Sequence, residues 1–378
     1  MLEKLKKLDW ILILSVVPLL VAGLFTMKTF GPTQETGTIG DYFFWRQLIW
    51  IGLGLAAFLI ISFSDLRWLR HSLILVLIYL SANILLFAVL FFSSEVRGTA
   101  SWFSVGLFSL EPSEPAKIAL ILVLAKYFSR RHIEIANVKH IIVSGLYALL
   151  PMGLVFLQPD FGSAVVFGVL WFGMVMASGI SKKHLLILLA GSIVASAIFW
   201  FFLLAPYQRT RISAFLNPYI DPQGAGYQVI QAKIAVGSGG MFGRGIGFGS
   251  QSRLEFLPEH QTDFVFAAFA EEWGFLGALL LISFFVLVIW RVSRIGLSLS
   301  DNFARLYAAG VGILIATQFS IHIGMNIGLL PITGLTLPFV SYGGSSLFTL
   351  FSSLGILMSF KIKSSFLARK TADVYPHL

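Results

Sequence analysis

The 378-residue chain is 57% hydrophobic and only 12% charged, and it contains 36 Phe residues. A water-soluble chain of this length carries about twice that share of charge, so the sequence predicts a polytopic membrane protein. The formal net charge of +9 is explained by Lys and Arg flanking membrane spans and does not require nucleic acid as a partner. Cys is absent, which excludes disulfides and thiolate metal sites.

Ten apolar runs, each about 20 residues long, are predicted to cross a ~30 Å hydrocarbon core. They cover residues 10–30, 43–63, 70–92, 114–129, 141–157, 162–181, 184–205, 263–290, 303–326 and 337–360. We expect an all-α fold with ten transmembrane helices in a single domain, 1–378, and a large extracytoplasmic loop at 206–262 between the seventh and eighth helices. The first run follows Lys residues without a small-residue cleavage pattern, which favours a retained helix over a signal peptide.

The charge distribution predicts the orientation of these spans. An even number of spans places both termini on the same side, and the segments assigned to the cytoplasm hold 18 of the 27 Lys and Arg. Of the 18 acidic residues, 12 fall in the segments assigned to the outside. We therefore expect both termini to be cytoplasmic.

The fourth span opens with an acidic and a basic residue on the predicted outer side. Trp102 lies in the preceding loop, 93–113, and Glu114 and Lys117 follow at the start of the span. Residues three apart share one face of a helix, within pairing distance. One interpretation is an ion pair that lowers the cost of inserting both groups into the membrane. The other is that Lys117 binds an anionic ligand and Glu114 positions it.

A second acidic site, Asp160, lies in the QPDFG stretch on the same predicted side. An ordinary Pro-Asp turn between helices would explain it, and so would a third carboxylate at a binding site. The loop 206–262 is too rich in Phe, Leu and Tyr for disorder, and Arg209 and other Arg residues add positive charge to it. Its Gly-rich part, 237–250, matches no phosphate-binding motif and instead predicts close approach of backbone to a ligand or to a neighbouring helix.

Asp263 stands where this loop meets the eighth span. A carboxylate at the mouth of a membrane helix is costly to desolvate and often marks chemistry or transport. The alternative is a helix-terminal role with Thr262 as the cap, which suits both residue types. Farther along the span, Glu271 and Glu272 are expected to be buried and paired with polar groups inside the bundle.

The segment before the last span, 327–346, contains two Pro and four Gly. This content predicts a broken or re-entrant segment, which is tolerated at membrane depth only where it packs in protein or lines a cavity. A ligand cavity on the outer side would satisfy that condition.

Six stretches resemble, in order and approximate spacing, the motifs of the SEDS family, which includes RodA, FtsW and SpoVE. They are LEPSEPAK, QPDFG, FLNPYIDPQGAGYQ, GSGGMFGRG, FLPEHQTDFVFAAFAEEWGF and GLLPITGLTLPFVSYGGSS. The short termini, the N-terminal LDW and the QSRLEFLPEHQTDF stretch are more similar to RodA than to FtsW. Relatives often place His directly before the Thr of this last stretch, so no specific role is predicted for His260.

The resemblance implies a peptidoglycan glycosyltransferase that polymerises lipid II at the outer face of the bacterial cytoplasmic membrane, for cell-wall elongation and cell shape. It implies Asp263 as the catalytic carboxylate, either as the base toward the acceptor 4-hydroxyl or as the ligand of a divalent cation, Mg or Mn, with no organic cofactor. The residues expected to contact substrate are Trp102, Glu114, Lys117, Asp160, Arg209, Ser341, Tyr342 and Gly343.

The expected partners are lipid II, membrane lipid and a class B penicillin-binding protein, which is a transpeptidase with one membrane helix. Three alternatives remain open: a lipid II flippase or other transporter, an FtsW-like polymerase of the division septum, and a structural scaffold of the cell-wall machinery. A transporter is often built from paired repeats with a site at the membrane midplane, whereas the polar residues here concentrate at one face.

Overall fold

The computed structural model describes residues 7–30, 39–93, 101–105, 108–130, 138–254 and 256–374. These residues form thirteen α-helices and one short antiparallel hairpin. The first seven helices are α1 Trp10–Lys28, α2 Ile39–Phe63, α3 Ser72–Phe92, α4 Ser113–Arg130, α5 Val138–Leu157, α6 Phe161–Ala177 and α7 Lys182–Ile198. The others are α8 Pro206–Leu216, α9 Ala225–Ser238, α10 Ser250–Arg253, α11 Val265–Ser298, α12 Asn302–Asn326 and α13 Gly344–Val374. The hairpin strands are β1 Phe103–Val105 and β2 Phe108–Leu110.

Seven of the helices in the described part of the chain are long and apolar enough to cross a membrane: α1, α2, α3, α5, α11, α12 and α13. The protein is therefore a multi-pass membrane protein. Helix α6 and most of α7 are shorter apolar helices, and α4 carries four charged residues among its 18. Each of the ten predicted spans overlaps a helix, and the count of ten crossings stays a prediction.

Helix α4 lies at the centre of the bundle. It contacts α3, α5, α6, α12 and α13, and its side chains are buried around most of its circumference. A helix that is apolar on all sides belongs inside other protein and not at a lipid surface. Polar residues at its start are consequently enclosed by protein, which decides the environment of the charged pair described below.

The segment 206–262 is folded. It contains α8, α9 and α10 and a short 3₁₀ turn, Pro218–Ile220. Helix α9 buries its small apolar residues against α11, in a cluster with Phe264, Ala267 and Ala268. The segment is thus attached to the membrane bundle by packing, and its position outside the cell stays a prediction.

The eighth and the tenth predicted spans differ from the structure at their N-terminal ends. Helix α11 begins at Val265 and continues to Ser298, with a kink at Gly274, where the backbone has φ 69°. The final helix was predicted from residue 337, but α13 begins at Gly344. Residues 331–343 before it are non-helical and largely buried, as the content of Pro and Gly predicted, because Pro338 cannot donate a helical hydrogen bond.

Candidate active site

Asp263 lies in a turn that precedes α11. Its backbone N–H donates to the Glu259 carbonyl at 3.0 Å, and its carbonyl accepts from Asn326 Nδ2, also at 3.0 Å. The side chain is half-buried, and a Cβ placed on Gly334 would lie 3.7 Å from Asp263 Oδ2. The carboxylate therefore faces the backbone of the non-helical segment 331–343.

The alternative role, in which Asp263 stands at the start of the helix with Thr262 as the cap, is wrong. The N-cap of α11 is Phe264, which supplies no side-chain cap hydrogen bond. Thr262 Oγ1 donates instead to the Glu259 carbonyl at 3.4 Å. The chain turns through these residues before the helix begins, so neither side chain is in the N-cap position.

Ser341 and Tyr342 join the segment 331–343 to the loop that carries Asp263. Ser341 Oγ donates to the Thr262 carbonyl at 2.7 Å, and the Tyr342 N–H donates to the Gln261 carbonyl at 2.9 Å. Gln47 on α2 donates to the Ser341 carbonyl at 3.0 Å. The structure thus brings Ser341, Tyr342 and the adjoining Gly343 together with Asp263.

The same segment also packs against the start of α6, which carries Asp160. A Cβ on Gly162 would come within 2.5 Å of the Thr333 carbonyl, so only Gly allows this approach. Asp160 is the N-cap of α6, with Oδ1 accepting from the Ser163 N–H at 3.0 Å. Asp160 thus lies in a turn between α5 and α6, as one of its two interpretations predicted, and one of its oxygens caps α6.

Glu114 and Lys117 form the predicted ion pair at the start of α4. Lys117 Nζ lies 2.9 Å from Glu114 Oε1, and the exposed fractions of the two side chains are 0% and 4%. Glu114 Oε2 is buried without a hydrogen-bond partner among the described residues. Glu111 and Asp160 also act electrostatically on Lys117, so the four groups form one charged cluster.

Glu111 belongs to this cluster, although the sequence analysis did not single it out. Removal from water and, next, the nearby charge of Glu114 raise the pKa of its carboxyl to about 8, although the charge of Lys117 acts in the opposite direction. Its backbone N–H donates to Ser345 Oγ at 3.1 Å, which ties the start of α4 to α13. A second carboxylate in the LEPSEPAK stretch, beside Glu114, was the available signal.

Two further predicted substrate contacts, Trp102 and Arg209, lie on other elements than Asp263. Trp102 is half-buried and comes directly before β1. Arg209 on α8 donates from Nη2 to the Phe201 carbonyl at 3.1 Å, and no contact joins it to Asp263 in the part of the chain that the structure describes. Their roles in substrate binding stay predictions.

Glu271 and Glu272 hold the Gly-rich stretch against α11, as their expected polar pairing predicted. Glu271 accepts the N–H groups of Gln251 and Ser252 at 3.0 and 3.3 Å. Glu272 accepts the Gly247 N–H at 3.1 Å. Of the two predicted uses of the glycines, approach to a neighbouring helix is the one that the structure shows.

Arg46 on α2 is a cation that the sequence analysis missed. Its guanidinium carbon lies 4.3 Å from the centre of the Tyr42 ring, and its side chain hydrogen-bonds to Tyr342. No ion pair compensates its charge among the described residues. Only the fold reveals it, because α2 and residue 342 are almost three hundred residues apart in sequence.

No group of three or more His, Asp or Glu that could hold a metal ion occurs among the described residues. A divalent cation at Asp263 would therefore have at most two such protein ligands from the described residues. Magnesium is often bound by one or two carboxylates together with substrate phosphates and water, and the site fits that mode only.

A family model described as "Cell cycle protein", for FtsW, RodA and SpoVE, matches residues 8–365. The chain belongs to this family. It is 38% identical to stage V sporulation protein E of Bacillus subtilis over 360 residues, which are 93% of this chain and 96% of the relative. It is 40% identical to the peptidoglycan glycosyltransferase MrdB of Escherichia coli over 284 residues, covering 75% of this chain and 76% of MrdB.

A solved structure shares the fold at 33% identity and a TM-score of 0.79, covering 94% of this chain and 98% of that chain. It was described as showing structural coordination of polymerization and crosslinking by a peptidoglycan synthase complex. The predicted family is confirmed, and the observed bundle is the fold of this group.

Proposed function

We propose that this family member polymerises lipid II into glycan strands, with Asp263 as the catalytic carboxylate. The chain is a peptidoglycan glycosyltransferase, the activity for which its relative MrdB is named. The assignment of this role to Asp263 rests on the position of its side chain. Its half-buried carboxylate faces a non-helical segment that is itself hydrogen-bonded to the Asp263 loop.

The chemistry requires a carboxylate of this kind. A sugar hydroxyl must lose a proton as it attacks the anomeric carbon, and a carboxylate within hydrogen-bond reach can accept that proton. A carboxylate that caps a helix is stabilised as the anion and is a weaker base. The N-cap of α11 is Phe264, so Asp263 does not cap this helix.

The departing diphosphate requires positive charge. Lys117 is fully buried and paired with Glu114, so it acts by fixing the geometry of the site unless the pair opens. Arg46 is half-buried beside Tyr342, so its guanidinium lies next to the segment 331–343 and can supply positive charge there. A divalent cation, Mg or Mn, would add Lewis-acid stabilisation of the diphosphate, with Asp263 as its protein ligand.

The cellular role follows from the relatives. A related chain belongs to a peptidoglycan synthase complex that couples polymerization to crosslinking, which supports a transpeptidase partner such as a class B penicillin-binding protein. We propose a RodA-like role in elongation and cell shape at the outer face of the cytoplasmic membrane. An FtsW-like role at the septum fits the family equally well, because the family model covers both groups.

The test is the polymerisation of lipid II by purified Asp263→Asn protein. The substitution keeps the shape of the side chain and removes its charge, so product formation should fall by about 10²–10⁴-fold, as for a lost acid–base group. Folding should be preserved, because Asn has nearly the shape of Asp and the backbone hydrogen bonds of residue 263 stay in place.

Asp301→Asn is the matched control. Asp301 is the N-cap of α12, and Asn is an equally good cap. The change also breaks the exposed ion pair with Arg70, which costs at most about 1 kcal/mol, so this variant should fold and polymerise normally. Near-normal product from folded Asp263→Asn protein would eliminate Asp263 as the catalytic carboxylate.

A further inference from the structure

We infer that Asn326 is a positioning residue for Asp263: it takes over the capping of α11 and fixes the backbone of the turn that carries the carboxylate. The inference rests on the proposed function, since it assigns Asn326 a role in the same reaction. Asn326 is the last residue of α12 and has an exposed fraction of 0%. Neither the sequence motifs nor the comparisons with relatives give it a role.

The side-chain amide of Asn326 is fully engaged. Its Oδ1 accepts the Ala267 N–H at 3.0 Å, and its Nδ2 donates to the Asp263 carbonyl at 3.0 Å and to the His322 carbonyl at 2.8 Å. The Ala267 N–H is one of the first four N–H groups of α11, which have no partner within their own helix. Asn326 therefore supplies from another helix the cap that a residue at the start of α11 would normally provide.

Because Asn326 provides this cap, the Asp263 carboxylate is not the group that caps α11. An Asp just before a helix ordinarily binds the N–H groups of the first turn. Here the N-cap residue supplies no side-chain bond, and Asn326 binds the Ala267 N–H instead. In the same contact it holds the Asp263 carbonyl, so the backbone that carries the carboxylate has a fixed position relative to α12.

His322 fixes the opposite wall of the site from the same face of α12. It lies four residues before Asn326, one turn along the helix. Its Nδ1 is 2.7 Å from the Leu335 carbonyl, so that nitrogen carries the proton and donates. Leu335 adjoins Gly334, the residue that faces Asp263 Oδ2. One helical face thus sets the separation between the carboxylate and the segment 331–343.

Loss of this support should displace the carboxylate without removing it. A misplacement of about 1 Å at a reacting group can lower a rate by about 10²-fold. Asn326→Leu keeps the branching at Cγ with a larger side chain, and it leaves both the Asp263 carbonyl and the Ala267 N–H without their partner. Asn326→Asp retains the acceptor for Ala267 and loses the Nδ2 donor, which provides a second variant if the Leu variant does not fold.

The matched control is Tyr307→Phe on the same helix. Tyr307 is fully buried, and its hydroxyl donates to the Ser353 carbonyl at 3.0 Å, far from Asp263 in sequence and in contact with a different helix. This control removes one buried hydrogen bond of α12 and should lower the melting temperature without altering the reaction.

The first measurement is steady-state polymerisation of lipid II by the detergent-purified full chain. For either Asn326 variant, kcat should fall by about 10-fold to 100-fold while KM for lipid II stays nearly constant, because an interaction that matters only in the transition state is lost. Tyr307→Phe should retain the natural kcat. Equal kcat for Asn326→Leu and the natural chain, or an equal loss in Tyr307→Phe, would overturn the inference.

The second measurement does not depend on activity. Hydrogen exchange should accelerate at residues 259–264 and at the Tyr342 amide in the Asn326 variants, and not in Tyr307→Phe, because these amides bond within the turn that Asn326 supports. Unchanged exchange refutes positioning by Asn326. If exchange accelerates in the Asn326 variants but the natural chain makes no polymer, the proposed function is refuted and the positioning role of Asn326 stands.

Discussion

The burial of Lys117 changes what a substitution of this residue can test. The pair that it forms with Glu114 is removed from water on both sides, and removal of one partner from such a pair typically costs about 3–5 kcal/mol because the other charge is left uncompensated. Substitution of Lys117 alone would therefore mix a loss of stability with any loss of substrate binding. Asp263 is the better residue for a test of chemistry, since it is half-buried and outside this pair.

Glu111 leads to a prediction about stability and pH. Its folded-state pKa is about 8, raised from 4.5 chiefly by burial and then by the charge of Glu114. Between these two values the folded chain holds a proton that the unfolded chain has released, so the free energy of unfolding should decrease as pH rises through this window. Glu111→Gln removes the titration and should flatten the decrease. Melting temperatures measured from about pH 5.5 to about pH 8.5 would show it.

Asp65→Asn is the control for the Glu111 experiment. The hydrogen bond from Arg67 lowers the pKa of Asp65, so Asp65 stays ionised over the whole range and its substitution should shift all melting temperatures equally. Parallel pH curves for Glu111→Gln and the natural chain would contradict the assigned pKa.

Much of the site was predictable from single residues, and the omissions have one physical cause. Asp263, Glu114 and Lys117 stand out because a charge at the end of an apolar run is unusual wherever the chain folds. Asn326 and Arg46 lie within apolar helices, and their importance depends on contacts with residues 263 and 342 that only the fold creates. The prediction of Thr262 as the cap was wrong because a side chain from another helix, that of Asn326, provides the cap.

At the scale of elements, the Gly-rich stretch and α11 form a single interlocked unit. The Gly243 N–H donates to the Gly239 carbonyl at 2.8 Å, and the N–H groups of Arg244 and Gly245 donate to carbonyls of α11 just before its kink. After the kink, the Phe275 N–H donates to the Gly240 carbonyl at 2.8 Å. The bend in α11 thus exposes backbone groups that the stretch satisfies.

A matched pair of glycines tests this interlock. A Cβ on Gly243 would lie 2.0 Å from the Glu272 carbonyl oxygen, whereas a Cβ on Gly240 would meet nothing within 4 Å. Both glycines have positive φ, so each change to Ala carries a left-handed strain of about 1–2 kcal/mol. Gly243→Ala should cost about 1–3 kcal/mol more because backbone atoms must move apart. Equal melting temperatures for the two variants would show that the close approach is unimportant.

Some helices were predicted from the sequence and others were not, because the strength of their sequence signals differs. Long apolar runs predicted α1, α2, α3, α5 and α12, and Pro with Gly predicted the non-helical segment before α13. Helices α8, α9 and α10 were assigned only to a folded loop. Helix α9 buries mainly small residues, such as Ala232 and Ala235, so its packing against α11 has a weak sequence signal.

At the scale of the whole molecule, ion pairs join the helices at the end opposite the candidate site. Asp9, before α1, accepts from Arg291 Nε on α11 at 2.8 Å and from Lys361 on α13. Arg70 pairs with Asp301 at 2.9 Å between the starts of α3 and α12. These contacts link both ends of the chain to the turns that the charge distribution assigned to the cytoplasm, which agrees with one common side for them.

The final prediction concerns which end of the bundle faces outward. The chain has no Cys, so single Cys substitutions need no altered background. Tyr219 in the segment 206–262 has an exposed fraction of 80%, and the side chain of Arg67 between α2 and α3 has one of 73%. In spheroplasts, a membrane-impermeant maleimide should label Tyr219→Cys, and it should label Arg67→Cys only after lysis. Arg67→Cys breaks one exposed ion pair with Asp65, which costs at most about 1 kcal/mol and should not change the fold.

The labelling result decides whether the proposed reaction is possible at Asp263. The Asp263 turn belongs to the same folded unit as residue 219, since α9 links that segment to the start of α11. If Arg67→Cys is labelled first and Tyr219→Cys only after lysis, the candidate site faces the cytoplasm, and polymerisation at the outer face is excluded whatever the Asp263→Asn assay shows. Labelling of both variants in lysed samples is required in either case, because it shows that each thiol is reactive once the reagent reaches it.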